Sequence, residues 1–180
     1  MKYNLLVTGG LGYIGSFTAK NYLKKTKKKL FVIDNLSRGN FFAKKYSNNK
    51  VLDISNNTLN KIIRKKKINA IIHLASLTCV RESIRKKKKY LQNYKSQIKF
   101  INNIKKTNVK YFIFSSSLSV FEKNKFKKNL SPYSMYKLKI EKYLKTLSSK
   151  NFKVIILRYP NIIGSDPQGE LGEKNEFISR

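Results

Sequence analysis

The sequence predicts an α/β protein with a doubly wound parallel sheet and helices on both of its faces. Short apolar runs such as LFVID (30–34) lack polar alternation, which is typical of strands buried on both faces. Longer amphipathic stretches separate these runs, as expected where helices connect parallel strands. A glycine-rich turn, TGGLGYIG (8–15), joins the first apolar run to the first amphipathic stretch. Right-handed crossovers would then wind the strands into a doubly wound sheet.

Strands and helices alternate along the whole chain in this interpretation. The expected strands are residues 3–8, 30–34, 51–54, 70–75, 111–116 and 153–159. The expected helices are residues 13–25, 56–66, 83–106 and 133–149. No internal repeat interrupts this alternation, and lysine is the only residue type in marked excess.

The glycine turn predicts a Rossmann-like dinucleotide site. Gly9, Gly12 and Gly15 are spaced G-x-x-G-x-x-G between the first strand and the first helix. The first glycine permits a tight turn, the second lets the backbone approach a diphosphate, and the third lets helix and strand pack closely. The N–H groups and partial positive charge at the helix start favour phosphates. The alternative is that the glycines only make a tight turn.

An acidic residue ends the second strand, as the dinucleotide fingerprint requires. Asp34 is expected to accept hydrogen bonds from the adenosine ribose. Its charge would repel a 2′-phosphate, which favours NAD over NADP as the cofactor. Arg38 leaves that choice open, because a nearby guanidinium can offset the repulsion.

A tyrosine and a lysine four residues apart indicate acid–base chemistry. Tyr133 and Lys137 share one face of the helix 133–149. The lysine ammonium favours the phenolate and lowers the pKa of the tyrosine, which makes Tyr133 a candidate general base. Serines 115–117 end the preceding strand, at the sheet edge where doubly wound folds bind ligands. Tyr46 and Lys50 have the same spacing without this setting, and we interpret them as surface residues.

The chain is strongly basic, with a formal net charge of +31 from 40 Lys and Arg against 9 Asp and Glu. Lysine runs such as 65–67 and 86–89 could follow the phosphates of a nucleic acid. The alternative is coding bias, since Lys, Asn, Ile, Phe and Tyr are abundant, Trp is absent, and the lysines are scattered. We expect no specific nucleic-acid partner, only weak adhesion to polyanions that salt removes.

Other features indicate a cytoplasmic protein without a membrane partner. Cys79 is the single cysteine, so it has no partner for an internal disulfide. No apolar run approaches the roughly 20 residues that span a bilayer. The start MKYNLLVTGG has no signal-peptide layout. We expect no metal site, and we interpret the single histidine, His73, as a structural residue at the end of a buried strand.

The motifs together resemble the extended short-chain dehydrogenase/reductase family over essentially the whole chain. The matching stretches are TGGLGYIG (8–15), DN (34–35), DI (53–54), IIHLAS (71–76), FIFSSSLSVF (112–121), YSMYK (133–137) and LRYPNIIG (157–164). Two further stretches, VRESI (80–84) and SDPQGELGE (165–173), are most similar to members that invert C4 of a UDP-hexose. The resemblance implies NAD-dependent epimerisation of UDP-glucose and UDP-galactose through a transient 4-keto sugar.

The resemblance also implies roles for individual residues. The catalytic residues would be Ser117, Tyr133 and Lys137, with Ser117, Tyr133 and Asn161 binding the UDP-sugar. The cofactor-binding residues would be Gly9, Gly12, Tyr13, Ile14, Gly15, Asp34, Asn35, Asp53, Ile54, Leu74, Ala75, Ser76, Thr78, Lys137 and Pro160. Dehydration is disfavoured, because Leu118 and Ser119 stand where the family's dehydratases carry an acid next to the catalytic hydroxyl.

The chain departs from the family pattern at several positions. Tyr94 replaces a positioning asparagine, with Asn93 one residue early; Val120-Phe121-Glu122 replaces Val-Tyr-Gly; and Pro160 replaces an aromatic residue. Residues 1–160 are expected to form the NAD-binding domain, and residues 161–180 the start of a truncated substrate-binding region. The alternatives are a catalytically impaired NAD-binding remnant, another nucleotide-sugar epimerase or dehydratase, and a basic polyanion-binding protein. A homodimer is one way in which a second copy could supply the missing part.

Overall fold

A computed structural model describes residues 4–26, 30–38, 48–121 and 130–173. Among the residues singled out from the sequence, Tyr46, Glu122 and the segment 174–180 lie outside this part of the chain. In the described part, no helix is long and apolar enough to cross a membrane.

The structure confirms the doubly wound α/β fold. Six strands form one sheet in the order β3-β2-β1-β4-β5-β6, and every neighbouring pair is parallel. The strands are β1 Leu5–Thr8, β2 Leu30–Asp34, β3 Asn48–Val51, β4 Ala70–His73, β5 Tyr111–Ser117 and β6 Lys153–Tyr159. The order reverses between β1 and β4, which is the switch point where such sheets bind ligands.

Helices cover both faces of the sheet. They are α1 Tyr13–Thr26, α2 Leu59–Lys65, α3 Val80–Arg85, α4 Lys87–Lys105 and α5 Pro132–Leu147. Ala19 of α1 packs with Leu5 and Val7 in one apolar cluster. Leu6 points to the opposite face, where α2, α4 and α5 form a larger cluster around Phe100. Successive strand residues thus supply two cores, which explains why the strand sequences are continuously apolar.

The third strand begins earlier than the sequence pattern predicts. It covers Asn48–Val51 rather than residues 51–54, and it pairs only with β2 at the edge of the sheet. Two residues after the strand, Asp53 forms a turn, because its Oδ1 accepts hydrogen bonds from the N–H and the hydroxyl of Ser55 at 2.8 and 2.7 Å. An edge strand needs little apolar character, so the polar residues 48–50 carry no periodic signal.

The long helix expected over residues 83–106 is two helices, α3 and α4. Lys86 separates them with φ −115° and ψ 53°, outside the helical region. The break lets Tyr90 of α4 point back, so that its hydroxyl accepts the N–H of Cys79 at 3.1 Å. The residues around Lys86 are all compatible with a helix, so the break depends on contacts between α4 and the residues before it, such as this one.

Candidate active site

The expected site residues come together at the carboxyl edge of the sheet. This edge receives the glycine turn after β1, residues 74–78 after β4, serines 115–117 of β5 and residues 160–161 after β6. The strands β1, β4, β5 and β6 are consecutive neighbours in the sheet. These segments therefore lie side by side along the edge where doubly wound sheets form their ligand crevice.

The glycine turn is shaped for close backbone approach. Gly9 has φ +66°, and a Cβ there would stand 2.6 Å from the backbone nitrogen of Ala75. A Cβ at Gly15 would meet the carbonyl oxygen of Gly9 at 2.1 Å. At Gly12 a Cβ would meet only that same oxygen, at 3.3 Å, so the other side of Gly12 is open. Gly9 and Gly15 are thus needed by the fold, while Gly12 leaves room for a ligand.

A fourth glycine of the turn has a packing role that the fingerprint does not include. A Cβ at Gly10 would lie 2.6 Å from Cγ1 of Val32 on the neighbouring strand. The turn can therefore lie flat on β2 only if this position has no side chain.

The start of α1 lies directly after the glycine turn. The first-turn N–H groups of a helix have no intrahelical acceptor, and they point toward the open side of the turn. Tyr13 and Ile14 occupy this first turn, and both are half-buried. The Tyr13 hydroxyl donates to the carbonyl of Gly164 at 2.8 Å, which brings the segment after β6 against the same helix end.

Asp34 braces the glycine turn from the end of β2. Its Oδ2 accepts the N–H of Leu11 at 3.0 Å, and its Oδ1 accepts the N–H of Leu36 at 2.8 Å. The carboxylate is only 8% exposed. Each carboxylate oxygen has a second lone pair, so these bonds leave capacity for a ribose hydroxyl.

Asn35 and Asp53 lie together at the end of β2 and after β3. The Asn35 amide donates to Oδ2 of Asp53 at 2.7 Å. Partial burial raises the pKa of Asp53, but hydrogen bonds from Ser55 and Asn35 outweigh this effect and hold the pKa below its ordinary value. Ile54 is buried in the core, so only its backbone can face the crevice.

The segment after β4 closes on the glycine turn. Leu74 N–H donates to the Thr8 carbonyl at 3.0 Å, and Ala75 N–H donates to the Thr8 hydroxyl at 3.4 Å. Ser76 lines a small cavity together with Tyr133 and Lys137. Thr78 is exposed.

Tyr133 and Lys137 are both buried and lie side by side. Tyr133 is 8% exposed and Lys137 is 4% exposed. The Lys137 ammonium is 5.9 Å from the centroid of the Tyr133 ring and 4.8 Å from that of Phe114. It donates to the carbonyl of Ser115 at 2.7 Å. The pair thus has a fixed geometry at the end of β5.

Burial lowers the pKa of Lys137 to about 7, although the charge of Glu141 opposes this shift. The lysine can therefore gain or lose a proton near neutral pH. When it is charged, its position beside Tyr133 favours the phenolate over the phenol.

The local sequence explains how Tyr133 reaches this position. Ser131 caps α5, because its hydroxyl accepts the N–H of Ser134 at 3.1 Å. Pro132 follows as the first helical residue, a position that suits its fixed φ. Ser117 is half-buried at the end of β5, where its hydroxyl accepts the N–H of Ser119 at 3.2 Å.

An ion pair between buried Glu141 and partly exposed Arg158 lies next to these residues, and the sequence pattern does not predict it. Glu141 is 1% exposed and is the only acidic residue of α5. It accepts hydrogen bonds from the Ser116 hydroxyl at 2.5 Å and from Arg158 at 2.7 and 3.0 Å. Glu141 lies one helical turn after Lys137, and this spacing is the sequence feature that could have indicated its position beside the lysine. The carboxylate thus ties α5 to β5 and β6 directly below the catalytic candidates.

His73 has the environment of a structural residue. It is 1% exposed, and its Nδ1 lies 2.6 Å from the Thr8 hydroxyl. Burial, reinforced by the nearby charge of Lys137, lowers the pKa of His73 to about 3. The imidazole is therefore neutral at physiological pH and bridges β1 and β4.

Two of the departures from the family pattern, Asn93 and Tyr94, lie beside Tyr133. The Tyr94 ring stacks on Tyr136 with centroids 4.9 Å apart, and both line the same cavity as Tyr133. Asn93 lines it too, and its Oδ1 accepts a hydrogen bond from Gln97 at 2.8 Å. Aromatic rings thus fill space on the helix side of the candidate base.

Pro160 and Asn161 follow β6 directly, and both are exposed. The chain then returns to α1, where Lys20 forms a salt bridge with Asp166 at 2.5 Å and Leu171 is buried in the α1 cluster. Within the described ranges, no group of three or more His, Cys, Asp or Glu side chains could hold a metal ion.

Comparisons with known proteins converge on one family. The model of the NAD dependent epimerase/dehydratase family matches residues 5–180. The chain is 32% identical over 195 residues to UDP-glucose 4-epimerase of Erwinia amylovora, covering 94% of the chain. It is 31% identical over 191 residues to UDP-arabinose 4-epimerase 1 of Arabidopsis thaliana, also covering 94% of the chain.

Solved structures show the same relationship. UDP-glucose 4-epimerase from Brucella ovis in complex with NAD superposes with a TM-score of 0.87 at 31% identity, over 96% of this chain and 56% of that one. UDP-glucose 4-epimerase from Bifidobacterium longum in complex with NAD+ and UDP superposes with a TM-score of 0.85 at 26% identity, over 98% of this chain and 58% of that one.

The chain spans about half the length of the curated relatives it matches, with 56% of the Erwinia protein and 45% of the Arabidopsis protein covered.

Proposed function

Because the chain belongs to the NAD dependent epimerase/dehydratase family, we propose that it binds NAD and inverts C4 of a UDP-hexose such as UDP-glucose or UDP-galactose. The observation that carries this proposal is the buried Tyr133–Lys137 pair at the end of β5. That strand is two positions from β1, whose glycine turn would hold the cofactor diphosphate. A base and a dinucleotide would then face the same crevice.

The residues present fit the cofactor. Gly12 is open on its outer side, and the start of α1 directs N–H groups there. Asp34 and Asn35 would hold the adenosine ribose, with Asp53 and the Ile54 backbone beside them. Residues 74–78 would contact the nicotinamide half, and Lys137 would also reach its ribose. NAD, when bound, would supply the hydride acceptor and donor that epimerisation needs.

The side chains would act on the sugar hydroxyl. The Tyr133 phenolate would take the proton of the 4-hydroxyl as C4 is oxidised, and would return it after the 4-keto sugar has turned over. The charged Lys137 would stabilise the negative charge of the phenolate in this role. Ser117 would orient the hydroxyl and stabilise negative charge on its oxygen. Asn161, exposed after β6, would contact the nucleotide-sugar.

An alternative is an NAD-binding remnant with little turnover. The observation that favours it is Tyr94, which stands where the family pattern has a positioning asparagine and stacks on Tyr136 in the cavity beside Tyr133. Such a protein would hold NAD but would not convert UDP-galactose.

Conversion of UDP-galactose to UDP-glucose by the wild type and by Tyr133→Phe tests the proposal. The variant should lose at least about 100-fold in turnover, as expected for removal of an acid–base group. It should still co-purify with NAD, as judged by native mass spectrometry. The matched control is Tyr143→Phe, which removes a hydroxyl from the same helix that bonds Asn102 instead.

The outcomes separate the alternatives. Loss in Tyr133→Phe with an active Tyr143→Phe supports the proposal. Equal turnover of wild type and Tyr133→Phe would refute the assignment of the base. NAD retention without any wild-type turnover would favour the remnant.

A further inference from the structure

An ion pair outside the catalytic group connects two segments at the carboxyl edge of the sheet. Arg38 lies after β2, and its guanidinium contacts Oε2 of Glu82 in α3. The strands β2 and β4 are the two neighbours of β1. Because α3 follows β4, the ion pair joins the segments on either side of the glycine turn.

Glu82 is the centre of this contact. Its side chain is 7% exposed, while that of Arg38 is 30% exposed. Its Oε1 accepts a hydrogen bond from Lys89 at 3.0 Å and forms a salt bridge with Lys86 at 3.5 Å. Its Oε2 accepts the Tyr90 hydroxyl at 3.0 Å in addition to Arg38. Three of these donors belong to α4 or to the residue before it, so among the residues that the structure describes only Arg38 reaches Glu82 from the β2 side.

Glu82 is negatively charged in the folded protein. Although partial burial raises its pKa, the hydrogen bonds from Lys89, Tyr90 and Arg38 lower it to about 2. The carboxylate is therefore ionised at any pH at which the protein would work. Arg38 thus faces a permanent negative charge across the crevice.

We propose that Arg38 and Glu82 are positioning residues for the dinucleotide, and that their ion pair slows its release. A dinucleotide lying across this edge extends from the end of β2 past the glycine turn toward β5. It must therefore pass between the two segments that the ion pair joins. Release requires the segment carrying Arg38 to move away from α3, and the ion pair opposes that movement. The inference rests on the proposed binding of NAD.

Exchange of bound NAD for isotopically labelled NAD, followed by native mass spectrometry, measures this release. Arg38→Ala and Glu82→Gln should each speed exchange by about fivefold, the scale of a partly exposed ion pair. Glu82→Gln keeps a hydrogen-bond acceptor for Tyr90, which protects the fold. The double variant should exchange no faster than either single variant, because both remove the same contact.

Two controls separate this effect from a general loss of structure. Lys89→Ala removes a different partner of Glu82 and should leave exchange unchanged, whereas Arg38→Lys keeps the charge and should restore most of the retention. Thermal unfolding of the NAD-free protein should be the same for Arg38→Ala and Arg38→Lys. A purely structural role of Glu82 would instead make Lys89→Ala and Arg38→Ala alike.

Wild-type protein that does not retain NAD would overturn the proposed function and this inference with it. Retention by the wild type, with exchange unchanged in Arg38→Ala and Glu82→Gln, would overturn this inference alone.

Discussion

The Lys137 ammonium donates a hydrogen bond to the carbonyl oxygen of Ser115 at 2.7 Å, which joins the middle of α5 to the end of β5. This bond holds a positive charge in a nearly dry position 5.9 Å from the ring centre of Tyr133. The environment that makes the lysine useful also makes its charge costly, because burial lowers the pKa to about 7.

This cost should appear in the pH dependence of stability. Between pH 7 and 10.5 the unfolded chain holds a proton on Lys137 that the folded chain has lost, so the free energy of unfolding rises with pH. The contribution is up to about 1.4 kcal/mol per pH unit. Lys137→Met lacks this group, so the wild type should gain stability relative to the variant from pH 7 to 10. Urea unfolding of both proteins at pH 7, 8.5 and 10 measures the difference, and parallel curves would contradict the assignment.

His73 should act in the acid range. Its pKa is about 3 in the fold against 6.5 in the unfolded chain. Between these values the unfolded chain binds the extra proton, so stability falls as the pH is lowered from 6.5 toward 3. His73→Gln should lose less stability over this range than the wild type. Thermal unfolding at pH 7, 5.5 and 4 tests this, and an equal decline in both proteins would show that the histidine does not contribute.

Two glycines of the same turn should respond differently to alanine. Gly15→Ala brings a Cβ within 2.1 Å of the Gly9 oxygen and 2.6 Å of the Gly10 Cα, so it should destabilise the fold by several kcal/mol. Gly12→Ala meets only one atom, at 3.3 Å, and should leave the thermal midpoint nearly unchanged while weakening NAD binding by about tenfold or more. Unfolding curves and NAD titrations of both variants make the comparison. Equal NAD affinity of Gly12→Ala and wild type would argue against a diphosphate at this turn.

The Glu141–Arg158 pair should matter for both stability and turnover. Arg158→Met leaves the carboxylate of Glu141, which is 1% exposed, without its cation, and should lower the free energy of unfolding. Adding Glu141→Gln should recover part of this loss, because the buried charge is then gone. A double-mutant cycle in urea measures the coupling. Lys142→Ala, an exposed change in the same helix, is the control and should be neutral.

The same pair should influence kcat more than the KM for UDP-galactose, if the proposed reaction occurs. Glu141 accepts a hydrogen bond from Ser116, next to Ser117, and lies one helical turn from Lys137. Its loss should therefore shift the position of α5 relative to β5. Steady-state kinetics of Glu141→Gln test this expectation. A change in KM alone would indicate a role in binding instead.

Much of the fold was predictable because the local signals agree with the tertiary structure. The run LFVI (30–33) is apolar at every position, and it packs against the α1 side on one face and against the larger cluster on the other. Asp34 follows it at the fingerprint spacing, and the structure places it against the glycine turn. Polar residues 48–50 form an edge strand that only pairing with β2 explains. The break at Lys86 likewise depends on a contact of Tyr90 that is distant from any local helix signal.

For the site, the sequence by itself determined which side chains have reactive chemistry and where along the chain they lie. The glycine spacing, the tyrosine and lysine one helical turn apart and the serines at a strand end are all local patterns. Only the tertiary structure decided what surrounds them. Arg38 pairs with Glu82, and Glu141 contacts Ser116 and Arg158, and each contact joins different strands, helices or loops. The local sequence around a charged residue does not indicate its partner, because ion pairing and burial depend on which strands become neighbours.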